Sequence, residues 1–146
     1  MWHSNNNPHI KLAVFNELET DRMQYELEQF CRECQRLNLH FKNYGLYPGK
    51  QPVLFLDVSA TIELLELQMA VRRTLSGFGQ EMEGDYFEPG IWKPDCYLTT
   101  GFEPDRLNEA IHILNQEPLP FDGYLERIGL IKYYPAEQCY DYRLQE

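Results

Sequence analysis

No stretch of this 146-residue sequence approaches the roughly 20 apolar residues of a membrane-spanning helix. The polar start, Met1-Trp2-His3-Ser4-Asn5-Asn6-Asn7, lacks the apolar centre of a secretory signal. These two absences argue against a membrane partner and for a cytoplasmic protein with reduced thiols. Positive charge is scarce as well: 13 Lys and Arg stand against 23 Asp and Glu, a formal net charge of −10. Binding to a long duplex rests on cationic side chains neutralising phosphates, so long duplex nucleic acid is not an expected partner. A small nucleotide or a short end held in a groove stays compatible, because a local cluster can differ in sign from the whole.

Metal and nucleotide motifs are missing too. Cys31-Arg32-Glu33-Cys34 is a lone C-x-x-C, and no second pair has zinc-site spacing. Both cysteines fall on the apolar side of a helical pattern, where core packing is the simpler reading. His40 and His112 have no ligand partner at a recognisable distance in sequence. Neither a glycine-rich phosphate loop nor a serine nucleophile elbow is present. No metal and no cofactor is expected.

What is present fits one domain over residues 1–146, with 1–7 expected to be loose. A chain of this length buries roughly two-thirds of the surface it would expose unfolded. His9 to Phe15 alternates with a period of two: Ile10, Leu12 and Val14 on one face, His9 and Lys11 on the other. Lys93 to Phe102 repeats the pattern, with Cys96 and Leu98 apolar and Asp95, Tyr97 and Thr99 opposite. Each is read as a strand entered through a proline, Pro8 or Pro94, with a core face and a polar face.

Around this pair, a three-to-four-residue apolar spacing predicts a helix from about Asp21 to Leu37. Strands are expected over Leu39–Tyr44 and Pro52–Val58, and a second helix over Thr61–Leu75. Gln80 to Pro94 is an acidic, aromatic loop, long for a compact domain, and such loops are often functional. A third helix opens at Pro104. Phe121–Tyr133 reads as one long strand with bulges at Gly123 and Gly129. Gln138–Leu144 is the last strand. The order β α β β α β α β β holds two similar strand–helix–strand–strand halves with the Thr61–Leu75 helix between them.

Pro8-His9-Ile10-Lys11-Leu12 and Pro94-Asp95-Cys96-Tyr97-Leu98 resemble the paired His-x-Thr/Ser tetrapeptides of the two-histidine (2H) phosphoesterases, which include 2′-5′ RNA ligase-like proteins and cyclic nucleotide phosphodiesterases. The resemblance implies an α+β fold, two antiparallel sheets around a groove with helices outside. It also implies a groove where two histidines act as base and acid while hydroxyls hold a phosphate. Here His9 matches the first histidine. Lys11 stands at the first hydroxyl position, Asp95 at the second histidine and Tyr97 at the second hydroxyl. His9 is therefore the candidate catalytic residue, and Lys11, Asp95 and Tyr97 are candidate substrate-binding residues for a small nucleotide or RNA-end phosphate.

The residues themselves limit that chemistry. An imidazole ordinarily titrates near pH 6.5 and can move protons at neutral pH, though a lone His can equally cap a strand end. Lys11 can hold a phosphate oxygen by charge, or pair with Asp95 across the strands, which is the expected arrangement. An ordinary Asp, with a pKa near 3.9, is a poor acid at neutral pH. Its carboxylate repels phosphate and suits a metal ion or an amine. Tyr97 can stack on a base, donate its hydroxyl, or simply fill space. Two functions follow: a phosphodiesterase of weak or altered activity, or a catalytically inactive relative that binds a small ligand or serves as a scaffold. The family's usual first strand and helix would precede His9, where only eight residues stand. A bare sheet edge left in this way would favour a homodimer.

Overall fold

The computed structural model describes residues 7–99, 101–133 and 136–146. The fold is α+β, with every named strand pair antiparallel. The elements in chain order are β1 (Val14–Asn16), α1 (Thr20–Glu33), β2 (Leu37–Tyr47), β3 (Val53–Val58) and α2 (Ile62–Leu75). They continue with β4 (Gln80–Met82), α3 (Gly84–Phe87), β5 (Asp95–Tyr97), a 3-10 turn (Pro104–Arg106) and α4 (Leu107–Leu114). The last are β6 (Phe121–Leu125), β7 (Arg127–Lys132) and β8 (Glu137–Arg143). The main sheet has the order β5-β3-β2-β6; β1 pairs with β4, and β7 with β8.

Apolar residues three and four apart shape the two long helices. Met23, Leu27 and Cys31 of α1 and Leu64, Leu67, Val71 and Leu75 of α2 are buried in one cluster. Leu39, Val58, Leu125 and Ile128 join them from the strands, Leu144 from just beyond β8, and Phe87 and Trp92 from the loop region. Full burial of one such side chain stabilises by about 1.5–3 kcal/mol. Thr61 starts α2 by accepting the amide N–H of Leu64 on its Oγ1 at 3.2 Å. Gly77, at φ +92°, turns the chain away after it.

Several expected boundaries move, each for a tertiary reason. The expected strand His9–Phe15 divides. Ile10 bridges Cys96, whereas Val14–Asn16 pairs with Gln80–Met82. Between the two, the carbonyls of Lys11 and Leu12 are taken by side chains: Trp92 Nε1 donates to the first at 3.1 Å and Gln68 Nε2 to the second at 3.2 Å. Helix α1 stops at Glu33, short of Leu37, because the C-terminal segment competes for its end. Gln145 N donates to Cys34 O at 2.9 Å, and Arg36 N donates to Gln145 O at 2.8 Å.

The expected strand Phe121–Tyr133 is two strands that part at Glu126, whose carbonyl accepts Leu144 N at 2.8 Å. Its bulges are not at the glycines. Gly123 lies in regular register opposite Leu39, and the irregularity of the second strand falls between Leu130 and Ile131. The loop Gln80–Pro94 carries β4 and α3, and its Phe87 and Trp92 are core residues. Of the expected loose start, only Asn7 is among the described residues.

Candidate functional site

The antiparallel bridge Ile10–Cys96 brings the two motif segments together. Its register sets His9 opposite Tyr97 and Lys11 opposite Asp95 on one face, with Ile10 and Cys96 on the other. Strand β5 extends the same face onto β3, where Asp95 partners Asp57 and Tyr97 partners Phe55. Strand β2 continues it, since Gly45 partners Phe55 and Tyr47 partners Val53. Gly45 leaves room there: a Cβ on it would run into the tip of the Phe55 ring, which covers the glycine and stacks on Tyr47 at 4.3 Å.

A cavity of about 200 Å³ opens on this face, lined by Lys11, Tyr47, Glu83, Tyr86, Phe87, Asp95 and Tyr97. It joins Lys11, Asp95 and Tyr97, as the motif pair implies. His9 is outside the lining, opposite Tyr97 at its margin. The His9 ring makes a 2.8 Å hydrogen bond from Nδ1 to the Asn7 carbonyl. A carbonyl only accepts, so Nδ1 carries the proton and Nε2 keeps the lone pair when the ring is neutral. Nε2 stands 3.5 Å from the Tyr133 hydroxyl.

The expected Lys11–Asp95 ion pair is not formed. Lys11 places its ammonium 5.1 Å from the centroid of the Tyr97 ring. Asp95, only 8% exposed, takes a hydrogen bond on Oδ2 from the Tyr47 hydroxyl. Burial is the first reason the Asp could not remain a free groove carboxylate: a buried charge needs a donor, and Tyr47 supplies it. The Tyr47 phenol is pushed far above its ordinary value, first by burial and then by its bond to Asp95. Burial followed by the Asp95 charge raises Tyr86 and Tyr97 as well. All three therefore stay protonated and able to donate at neutral pH.

A second layer holds this arrangement. Gln68, 1% exposed, also donates to Phe87 O at 2.9 Å, so one amide ties Leu12 to the end of α3. Arg72 donates to Phe87 O at 2.7 Å and forks onto Glu81 (2.7 and 3.2 Å) and Glu88 (2.9 Å). These contacts fix the loop that supplies Glu83, Tyr86 and Phe87. Sequence reasoning did not single out Tyr47 or Gln68. Gln68 did carry a signal: it is a polar residue inside the apolar stripe of Leu64, Leu67 and Val71. Among the described residues no group of three or more His, Cys, Asp or Glu is placed to hold a metal ion. No helix among them is long and apolar enough to cross a membrane.

Antiparallel sheets with helices, and two motif segments meeting edge to edge over a cavity, are consistent with the 2H phosphoesterase fold. The model of the 2'-5' RNA ligase superfamily matches residues 2–137, and the chain belongs to that superfamily. No curated protein matches the chain.

Proposed function

We propose that the groove between His9–Leu12 and Asp95–Tyr97 binds a nucleotide or RNA-end phosphate and turns over cyclic or 2′-5′ phosphodiesters weakly. The observation that carries this reading is the convergence of Lys11, Asp95 and Tyr97 on one cavity, with His9 opposite Tyr97 at its margin. Lys11 supplies the charge that holds a phosphate oxygen, and the Tyr97 hydroxyl supplies a donor. His9 Nε2 serves as base toward an attacking hydroxyl or water. Among the described residues no second imidazole stands across from it. Asp95 is committed as an acceptor to Tyr47, so protonation of the leaving oxygen has no efficient source. Slow turnover follows from that asymmetry.

The same Tyr47–Asp95 bond favours a second reading, a catalytically inactive relative that binds a small ligand or serves as a scaffold. Hydrolysis of a nucleoside 2′,3′-cyclic phosphate by the wild type and His9→Ala separates the two. Weak activity abolished by the substitution supports turnover. Absence of activity, or activity indifferent to His9, removes the enzyme reading. The setting proposed for either role is the cytoplasm.

A further inference from the structure

The groove face is unusual for a phosphate site in its carboxylates and aromatic rings. Asp57 and Asp95 face each other directly across β3 and β5, a like-charged pair that is unfavourable unless a cation or donor joins it. Tyr47 answers Asp95, and Lys93 Nζ approaches Asp57 Oδ1 at 3.8 Å. The chain's own ammonium groups rest on the rings of this face. Lys93 lies 4.3 Å from the Phe55 centroid and 5.9 Å from that of Tyr47, and Lys11 lies 5.1 Å from that of Tyr97. All three distances fall within the roughly 6 Å of a cation–π contact. Glu83 adds a further negative charge to the lining, so the cavity holds one cation, Lys11, against two carboxylates.

We infer that this cavity binds an organic ammonium head group, so that the groove's ligand is a phosphoester carrying a cationic nitrogen. Tyr86 and Tyr97 offer ring faces, Phe55 covers one face of Tyr47, and the counter-charge comes from Glu83 and from the Asp95 oxygen that Tyr47 does not bond. Tyr97 is 43% exposed and Tyr86 38%, so both rings are open to a ligand. At about 200 Å³ the cavity is smaller than the roughly 300 Å³ at which pockets for drug-sized ligands begin, so it takes a head group while the rest of the ligand lies along the groove. The net charge of −10 draws cations toward the protein as a whole. Lys11 acts in two opposed ways: it attracts the phosphate, and its ammonium competes with the ligand's nitrogen for the Tyr97 ring. The inference rests on the proposed phosphate reading only for the ester half of the ligand.

Calorimetric titration of the full chain with choline, its neutral isostere 3,3-dimethylbutan-1-ol, inorganic phosphate and phosphocholine tests it. Choline is expected to bind and the isostere to bind at least about 10-fold more weakly, since the charge carries the contact. Tyr97→Ala, at an exposed ring, and Asp95→Asn each weaken choline. The first keeps the test decisive should the second fail to fold. Lys11→Met tightens choline by about 2- to 5-fold, the worth of one cation–π contact at an exposed site, while it weakens phosphate. No choline binding, equal binding of choline and isostere, or choline binding indifferent to Tyr97→Ala overturns the inference even if phosphate binds. Choline binding without phosphate binding upholds the cation site and refutes the phosphate reading instead.

Discussion

Replacing Gln68 by Leu tests whether the first motif segment is held by side chains rather than by a strand ladder. Gln68 is 1% exposed and donates to Leu12 O at 3.2 Å and Phe87 O at 2.9 Å. Leucine is similar in size and cannot donate. Phe87 O keeps the Arg72 bond at 2.7 Å, so the main loss is at Leu12 O. An acceptor left without its donor costs about 1–3 kcal/mol. Exchanging a buried amide for methyl groups returns on the order of 1 kcal/mol. The net loss is about 0–2 kcal/mol, near 1 kcal/mol at the centre of that range. With a urea slope of about 2 kcal/mol/M for a domain of this size, the unfolding midpoint falls by about 0.5 M at that centre and by at most about 1 M. Thr74→Val is the control: Thr74 Oγ1 donates only to Ala70 O within its own helix, and a shift within about 0.5 kcal/mol is expected. Ligand affinity should fall with Gln68→Leu, because Leu12 adjoins Lys11. A higher midpoint, or an unchanged midpoint with unchanged ligand affinity, would refute the clamp.

Three further outcomes follow. Asp95→His with Tyr97→Thr supplies the missing acid and hydroxyl, and a placed general acid is worth about 10²–10⁴-fold. Cyclic-phosphate hydrolysis should rise by at least about 100-fold, and a folded double variant without that rise contradicts the groove geometry. Burial, with a smaller effect of Cys34, pushes the Cys31 thiol from 9.0 up to about 12, and burial also pushes Tyr140 up to about 12. The unfolded chain loses these protons first. Their stabilisation is thus complete below about pH 9 and is lost as pH rises toward 12. Urea midpoints should fall between about pH 8.5 and about pH 10.5, with a shallower slope in Cys31→Ala; equal slopes would contradict the assignment. Strand β6 pairs with β2 on one side and has no strand on its other side among the described residues. Such an edge invites pairing, and light scattering is expected to give a two-chain mass; a one-chain mass removes the homodimer.

The motif faces were legible in the sequence because strand alternation is a local property. His9, Lys11, Asp95 and Tyr97 needed only a period of two and one register to share a face. The two long helices were legible for the same kind of reason, through Leu64, Leu67, Val71 and Leu75. Strand partners were not. Alternation in Phe121–Tyr133 says nothing of the exchange at Glu126, which depends on Leu144 arriving from the far end of the chain. The end of α1 at Glu33 likewise depends on Gln145. Tyr47 escaped notice because its role comes from a hydrogen bond across 48 residues. The long loop was visible as unusual, but its packing of Phe87 and Trp92 into the core was not, since composition alone does not separate a buried aromatic from an exposed one.

The central claim is that His9, Lys11, Asp95 and Tyr97 form one ligand-binding cleft. Amide chemical-shift mapping of the isotope-labelled chain during titration with a nucleoside 2′,3′-cyclic phosphate tests it most directly. The account predicts saturable shifts that cluster at 9–12, 47, 83–87 and 95–97, and that are lost in Lys11→Met. Shifts that cluster elsewhere, or no shifts at millimolar ligand, would contradict it.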